Sequence, residues 1–219
     1  MVFDFHTHTF LSDGSLLPIE LIRRAVARGH QAIGLTDHVS LSNLAHVVEA
    51  LTADCRLAEK HWEVRAIPGV ELTHIPPAVI PELAAEARRR GAQLIVVHGE
   101  TPVEPVPEGT NLAAARCPEV DILAHPGAID VEVARLAAEN DVFLELSARK
   151  GHCLANGAVA AAARAAGALL LVNSDAHDPP DLLTAELAGR VAAGAGLSGQ
   201  ECQQALITNA RELIGRLSG

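Results

Sequence analysis

Six apolar runs in this chain each lead straight into a histidine or a carboxylate: VFDFHTHTF, AIGLTDH, RAIPGVELTH, LIVVHGE, DILAHPG and LLLVNSDAH. At or just past their ends stand His6, His8, Asp13, His38, Glu71, His98, His125, Asp175 and His177, nine potential metal ligands in sequence order. One such run is an ordinary strand end. Six of them, spaced along a chain that repeats strand and helix, require a fold that gathers strand ends around one point. Imidazole and carboxylate together suit borderline divalent ions such as Zn, Mn and Fe.

The rest of the pattern says how the gathering is done. Strands are expected over 2–7, 31–36, 64–72, 93–98, 121–125, 142–147 and 168–174. Helices are expected near 17–28, 43–60, 77–90, 130–139, 155–166 and 181–193, with a last one over 198–216. Several helices stop at a glycine before the next strand, as in Arg28-Gly29, Arg90-Gly91 and Ala166-Gly167, the residue that most easily takes the left-handed turn at a helix end. Strands separated by helices of this length are parallel. An open parallel sheet spreads its strand ends along a line, whereas a closed barrel arranges them around a centre. The expected class is therefore α/β, a single barrel domain over 1–219 with its metal site at the C-terminal end of seven strands. Segment 99–119, with four prolines, reads as a long loop at that end.

Composition excludes several alternatives. The chain is 49% hydrophobic, and no apolar run reaches the ~18 residues that cross a bilayer. A strand begins within two residues of Met1, which leaves no room for a signal peptide. Cys55, Cys117, Cys153 and Cys202 are scattered without a CxxC, so neither a disulfide framework nor a zinc ribbon is expected, and the location expected is cytoplasmic. The net charge of −10 argues against a surface that tracks long nucleic acid.

Within the nine, His6 and His8 are two apart on an extended chain and point to the same side, as do Asp175 and His177. Asp37 precedes His38 and reads either as a carboxylate supporting that imidazole or as a helix N-cap. His30, His46 and His61 read as surface residues on helices or helix ends, and His74 as a neighbour of the site's mouth.

HTHTFLSDG, LTDH, GVE, VVHGE, HPG and SDAH, in order from residue 4 to about 178, resemble the motifs of the PHP (polymerase and histidinol phosphatase) superfamily. The resemblance implies a distorted (β/α)7 TIM-like barrel with a trinuclear site of divalent ions (Zn, Mn or Fe). Carried over by position, it implies that His6, His8, Glu71 and Asp175 hold one ion. Glu71 would bridge to a second, held also by His98 and His125, and Asp13, His38 and His177 would hold a third. Some members of the family have His where this chain has Asp13.

Three divalent ions against three carboxylates leave a positive excess, suited to a phosphoryl group and an attacking hydroxide. Metal coordination lowers the pKa of bound water towards ~7, so no side-chain nucleophile is required. LELSARKGHC places Arg149 and Lys150, one of two lysines, just past the sixth strand on the same face. They suit either a phosphate clamp or a solvated loop, and the resemblance favours the clamp, because in histidinol-phosphatase-like members a basic residue after this strand contacts phosphate. The expected function is a metal-dependent phosphoesterase hydrolysing a small phosphomonoester such as histidinol phosphate. Its rivals are a nucleotide phosphodiesterase or 3′–5′ exonuclease, a non-catalytic structural PHP domain, and metal-dependent C–N hydrolysis. Against the nucleotide reading stand 2% aromatic residues and no tyrosine, which leave few platforms for base stacking.

Overall fold

In a computed structural model describing residues 1–217, apolar strands alternate with amphipathic helices almost throughout. The elements are β1 (Val2–Asp4), α1 (Pro18–Ala27), β2 (His30–Leu35), β3 (His38–Val39), α2 (Leu44–His61), β4 (Arg65–Leu72), α3 (Ile80–Arg90), β5 (Leu94–His98) and α4 (Thr110–Ala115). They continue with β6 (Ile122–Ala124), α5 (Val131–Glu139), β7 (Phe143–Ser147), α6 (Asn156–Ala166), β8 (Leu170–Asn173), α7 (Ala185–Gly194), α8 (Gly199–Gln203) and α9 (Asn209–Arg216). Residues 218 and 219, the last of the expected domain, lie outside the described residues.

All strand pairs are parallel and follow chain order, β1-β2-β4-β5-β6-β7-β8, with the two-residue β3 paired beside β4. A parallel bridge between Thr7 and Ala176 joins the first strand's extension to the last and closes the barrel. Seven strands were expected from the sequence, and β3 is the addition. It arises because His38 and Val39 run on beyond β2 and pair with Glu71 and Leu72.

The hydrophobic residues sort into two layers. Leu21, Ile22, Val47, Leu51, Ile80 and Leu83 on the helices pack against the outward faces of the strands. Phe3, Phe5, Ile67, Leu94, Ile122, Phe143 and Leu171 fill the inside, where α9 adds Ala210 and Leu213. Asn209 Nδ2 donates to Leu170 O at 2.8 Å, which seats α9 across the N-terminal end of the strands. That end is plugged, and the opposite end is free for polar side chains.

Three expectations need correction. Segment 99–119 is a loop only as far as Gly109, because Thr110–Ala115 forms α4 with Ala114 and Ala115 fully buried. The expected helix over 198–216 is three joined pieces, since a π turn at Gln204–Thr208 separates α8 from α9. His30 is buried rather than on the surface: it opens β2, with Nδ1 3.0 Å from Ala25 O.

Candidate metal centre

The hydrogen bonds that close the barrel also fix the first ligands. His8 N donates to Ala176 O at 2.8 Å and Asp175 N to His6 O at 2.9 Å, so the two ends of the sheet are joined through candidate ligands. His125 and Asp175 hold left-handed backbone at φ 27° and 54°, a conformation that non-glycine residues rarely keep without tertiary constraint. Their side chains thereby leave the strand direction and turn over the barrel mouth.

Side-chain nitrogens and oxygens then converge in overlapping sets: His6, His8 and Asp175; His6, Glu71 and His125; His8, Asp13, His38 and His177. His8 Nε2 lies 3.1 Å from Asp175 Oδ1, and His6 Nε2 lies 3.3 Å from Glu71 Oε1. His125 Nε2 is 3.6 Å from Glu71 Oε1, and Asp13 Oδ1 is 3.1 Å from His177 Nε2 and 3.5 Å from His38 Nε2. An ion about 2.1 Å from two tetrahedral ligands holds them roughly 3.4 Å apart, so these spacings suit shared cations. His98 stands differently. Its ring is 4.4 Å from that of His125, but its Nε2 faces Glu104 Oε2 at 3.0 Å, in a separate set with His74.

Several of these atoms have no hydrogen-bond partner. His6 Nε2, both nitrogens of His8, His125 Nδ1 and Glu71 Oε1 are buried without a hydrogen-bond partner, and Glu71 Oε2 has only an ion-pair contact to His38 Nδ1 at 2.7 Å. Uncompensated buried polar atoms cost about 1–3 kcal/mol each, and a cluster of them aimed at common points fits divalent cations. Protonation differs across the cluster: burial lowers each imidazole, but Glu145 and Glu71 outweigh it at His6, Glu71 and Asp13 at His38, and Glu71 at His125, raising all three above their ordinary range without bound cations. Burial above all lowers His8 to about 3, which keeps it in the neutral form that ligates metal. Burial pushes the Glu71 carboxyl up, but His6 and His38 outweigh it and hold Glu71 well below its ordinary range.

Support around the ligands comes partly from residues the sequence left unremarked. His6 Nδ1 donates to Glu145 Oε2 at 2.8 Å, which leaves Nε2 free to face the cluster. Asn173 Nδ2 donates to the same oxygen at 3.0 Å, and Asn173 Oδ1 accepts from Phe5 N. A lone charge between leucines in FLELS was the available signal, because a carboxylate buried in a strand needs a partner. Asp37 neither supports His38 nor caps a helix. Its oxygens accept from Thr9 N, Thr9 Oγ1 and Ser12 Oγ at 2.7–2.8 Å, which ties down the turn that carries Asp13. Glu104 and His152 were also missed as neighbours of the cluster: His152 stacks on His125 with centroids 4.1 Å apart.

Arg149 lies at the rim, with Nη1 donating to Asp175 O at 3.1 Å and also contacting His177 Nδ1. Together with exposed Lys150 it lines a cleft of about 400 Å³ whose wall also includes Asp175 and Asp181.

Residues 4–112 match the family model described as the PHP domain. Over 99% of its length the chain is 49% identical to an uncharacterised protein of Methanocaldococcus jannaschii, all of which is covered. It is 32% identical to a probable phosphatase of Shewanella halifaxensis, covering 80% of this chain and 76% of that one. The fold is similar to that of histidinol phosphate phosphatase from Lactococcus lactis, solved with zinc, L-histidinol and phosphate, at a TM-score of 0.57 and 15% identity over 99% of this chain and 93% of the other. The chain thus belongs to the PHP domain family of metal-dependent phosphoesterases.

Proposed function

We propose that the protein is a phosphatase for small phosphomonoesters, with a histidinol-phosphate-like ester as the leading candidate. The observation that carries this reading is the convergence of buried, unsatisfied imidazoles and carboxylates beside a cleft lined by Arg149 and Lys150. Such a mouth offers cation seats and a guanidinium to one small anion. The relative in Shewanella halifaxensis, named a probable phosphatase, supports the same class.

In this reading His6, His8, Glu71 and Asp175 hold one divalent ion, Glu71 with His98 and His125 a second, and Asp13, His38 and His177 a third. Bound ions would supply Lewis acidity towards phosphoryl oxygens and lower the pKa of a coordinated water towards ~7. The chain's own groups do the positioning. Glu145 keeps His6 in the ligating tautomer, and Asp37 holds the Thr9–Ser12 turn in place. Arg149 donates to phosphoryl oxygens, and Lys150 adds charge at the cleft's outer edge.

The test is a screen of chelator-stripped protein, re-supplied with Zn, Mn or Fe, against phosphorylated metabolites and nucleotides. Metal-dependent release of inorganic phosphate from small monoesters is expected. Turnover confined to nucleotide phosphodiesters would overturn the substrate class, and full metal content without any turnover would overturn catalysis.

A further inference from the structure

The loop between β5 and α4 brings a further carboxylate-imidazole group to the barrel mouth, outside the sets that surround Asp13, Glu71 and Asp175. Glu104 Oε2 is 3.0 Å from His98 Nε2 and 3.3 Å from His74 Nε2, and the rings of His74 and His98 lie 5.0 Å apart. Two imidazoles and one carboxylate are a common ligand set for divalent transition metals, and these separations are close to the roughly 3.4 Å edge of a tetrahedral shell. His98 Nδ1 lies 3.2 Å from Gly99 O, an acceptor, so Nδ1 carries the hydrogen and Nε2 presents its lone pair. A lone pair facing a carboxylate at 3.0 Å is stable only with a proton or a cation between them.

The loop holds Glu104 in place from both sides. Gly99 N donates to Ala124 O at 3.0 Å, and a Cβ on Gly99 would fall 2.2 Å from that oxygen. Asn111 N donates to Glu100 Oε1 at 2.8 Å, and Asn111 Oδ1 accepts from Glu100 N. Thr101 Oγ1 is 2.6 Å from His152 Nδ1. His74 is turned by its left-handed backbone (φ 52°). Exposure grades the set: the side chains of His74 and Glu104 are 37% and 38% accessible, that of His98 is 3%, and that of Glu71 is 0%.

A hydrated ion reaching Glu71 has to lose its water in a buried, crowded site. His98 has only one nitrogen free, so it can serve an outer ion with His74 and Glu104 or an inner one with Glu71 and His125, not both at once. We propose that His74, His98 and Glu104 form a capture position for a divalent cation at the barrel mouth. From it the ion passes inward to Glu71 and His125 while His98 remains bound to it. The proposal rests on the assignment of His98 to the second inner ion.

The test follows metal uptake rather than turnover. Chelator-stripped protein is mixed with Co(II) in a stopped-flow spectrometer, and visible absorption reports each ion as it leaves water for protein ligands. Glu104→Gln and His74→Ala, made separately, should each slow the filling of one equivalent by about tenfold or more, with the final stoichiometry equal to wild type. Normal filling of the remaining equivalents shows that each variant is folded. Unchanged uptake kinetics in both variants overturns the capture position alone. A final stoichiometry lowered by one also overturns it, because Glu104 or His74 would then be a resident ligand. A wild type that never fills the site of Glu71 and His125 overturns this proposal together with the assignment on which it rests.

Discussion

The two ends of the barrel are built from the same strands and obey opposite rules. At the N-terminal end Phe3, Ile67, Leu94, Phe143 and Leu171 pack with Ala210 and Leu213 of α9, and each buried apolar side chain contributes on the order of 1.5–3 kcal/mol. Packing there is tight enough that a Cβ on Gly69 would fall 2.7 Å from Leu94 O and one on Gly34 would fall 2.7 Å from Leu94 Cδ2. A few residues further along, the interior changes to His6, His8, Glu71, His125 and Asp175, all 3% exposed or less and with several atoms lacking partners. Stability therefore resides in the lower half. The upper half gathers buried charge held by imidazole-carboxylate pairs such as His6 with Glu145 and His38 with Glu71, an arrangement costlier than apolar packing.

The sharpest way to break this contrast is Glu71→Ala. In the proposed assignment Glu71 is shared by two ions, so turnover should fall below detection and metal content should drop, while the metal-free protein should unfold no more easily than wild type. Metal analysis with thermal unfolding in chelator checks this, and wild-type turnover at full metal content would show that Glu71 bridges nothing. Leu94→Ala is the counterpart at the other end. It should cost about 2–5 kcal/mol of stability in a denaturant titration and leave metal stoichiometry unchanged. A loss of metal with little loss of stability would mean that the two halves are not separable.

Arg149 sits at the boundary. If its guanidinium holds a phosphoryl group, Arg149→Ala should lower kcat/KM roughly 10- to 150-fold on a verified substrate, mainly through KM, because a charge-assisted bond contributes about 1.5–3 kcal/mol. Arg149→Lys should restore part of it, since an ammonium lacks the two-pronged geometry. Unchanged kinetics would leave Arg149 as a neighbour of Asp175 and His177 only. The smallest effect is expected for Glu145→Gln, which keeps an acceptor for His6 but loses the charge. Metal affinity should weaken about 10- to 100-fold by competition with a chromophoric chelator, and equal affinity would remove Glu145 from the metal site.

Glu145 and Glu104 also mark what local sequence pattern leaves unseen. His6 and His8 were legible because a two-residue spacing on an extended chain sends both side chains the same way whatever lies around them. Glu71, His125 and Asp175 were legible as strand ends, since β4 and β6 are apolar up to the ligand and β8 is apolar as far as Val172, three residues before Asp175. Glu104 carried no such mark. It lies in a proline-rich loop with no period, and only the pinning of that loop by Gly99, Asn111 and Thr101 sets it against His98. His30 was misplaced because a histidine after a helix-ending glycine looks solvated until the pairing of β2 with β1 buries it.

Local spacing and alternation by themselves determined the strand-helix rhythm, the parallel sheet and the ligand-bearing strand ends, because those depend on interactions among near neighbours in the chain. Closure of the barrel through Thr7 and Ala176, the pairing of His6 with Glu145 across 139 residues and the outward turn of His98 were decided only by the tertiary structure. Such contacts join segments far apart in sequence, and which nitrogen meets which oxygen depends on the register and closure of the whole sheet.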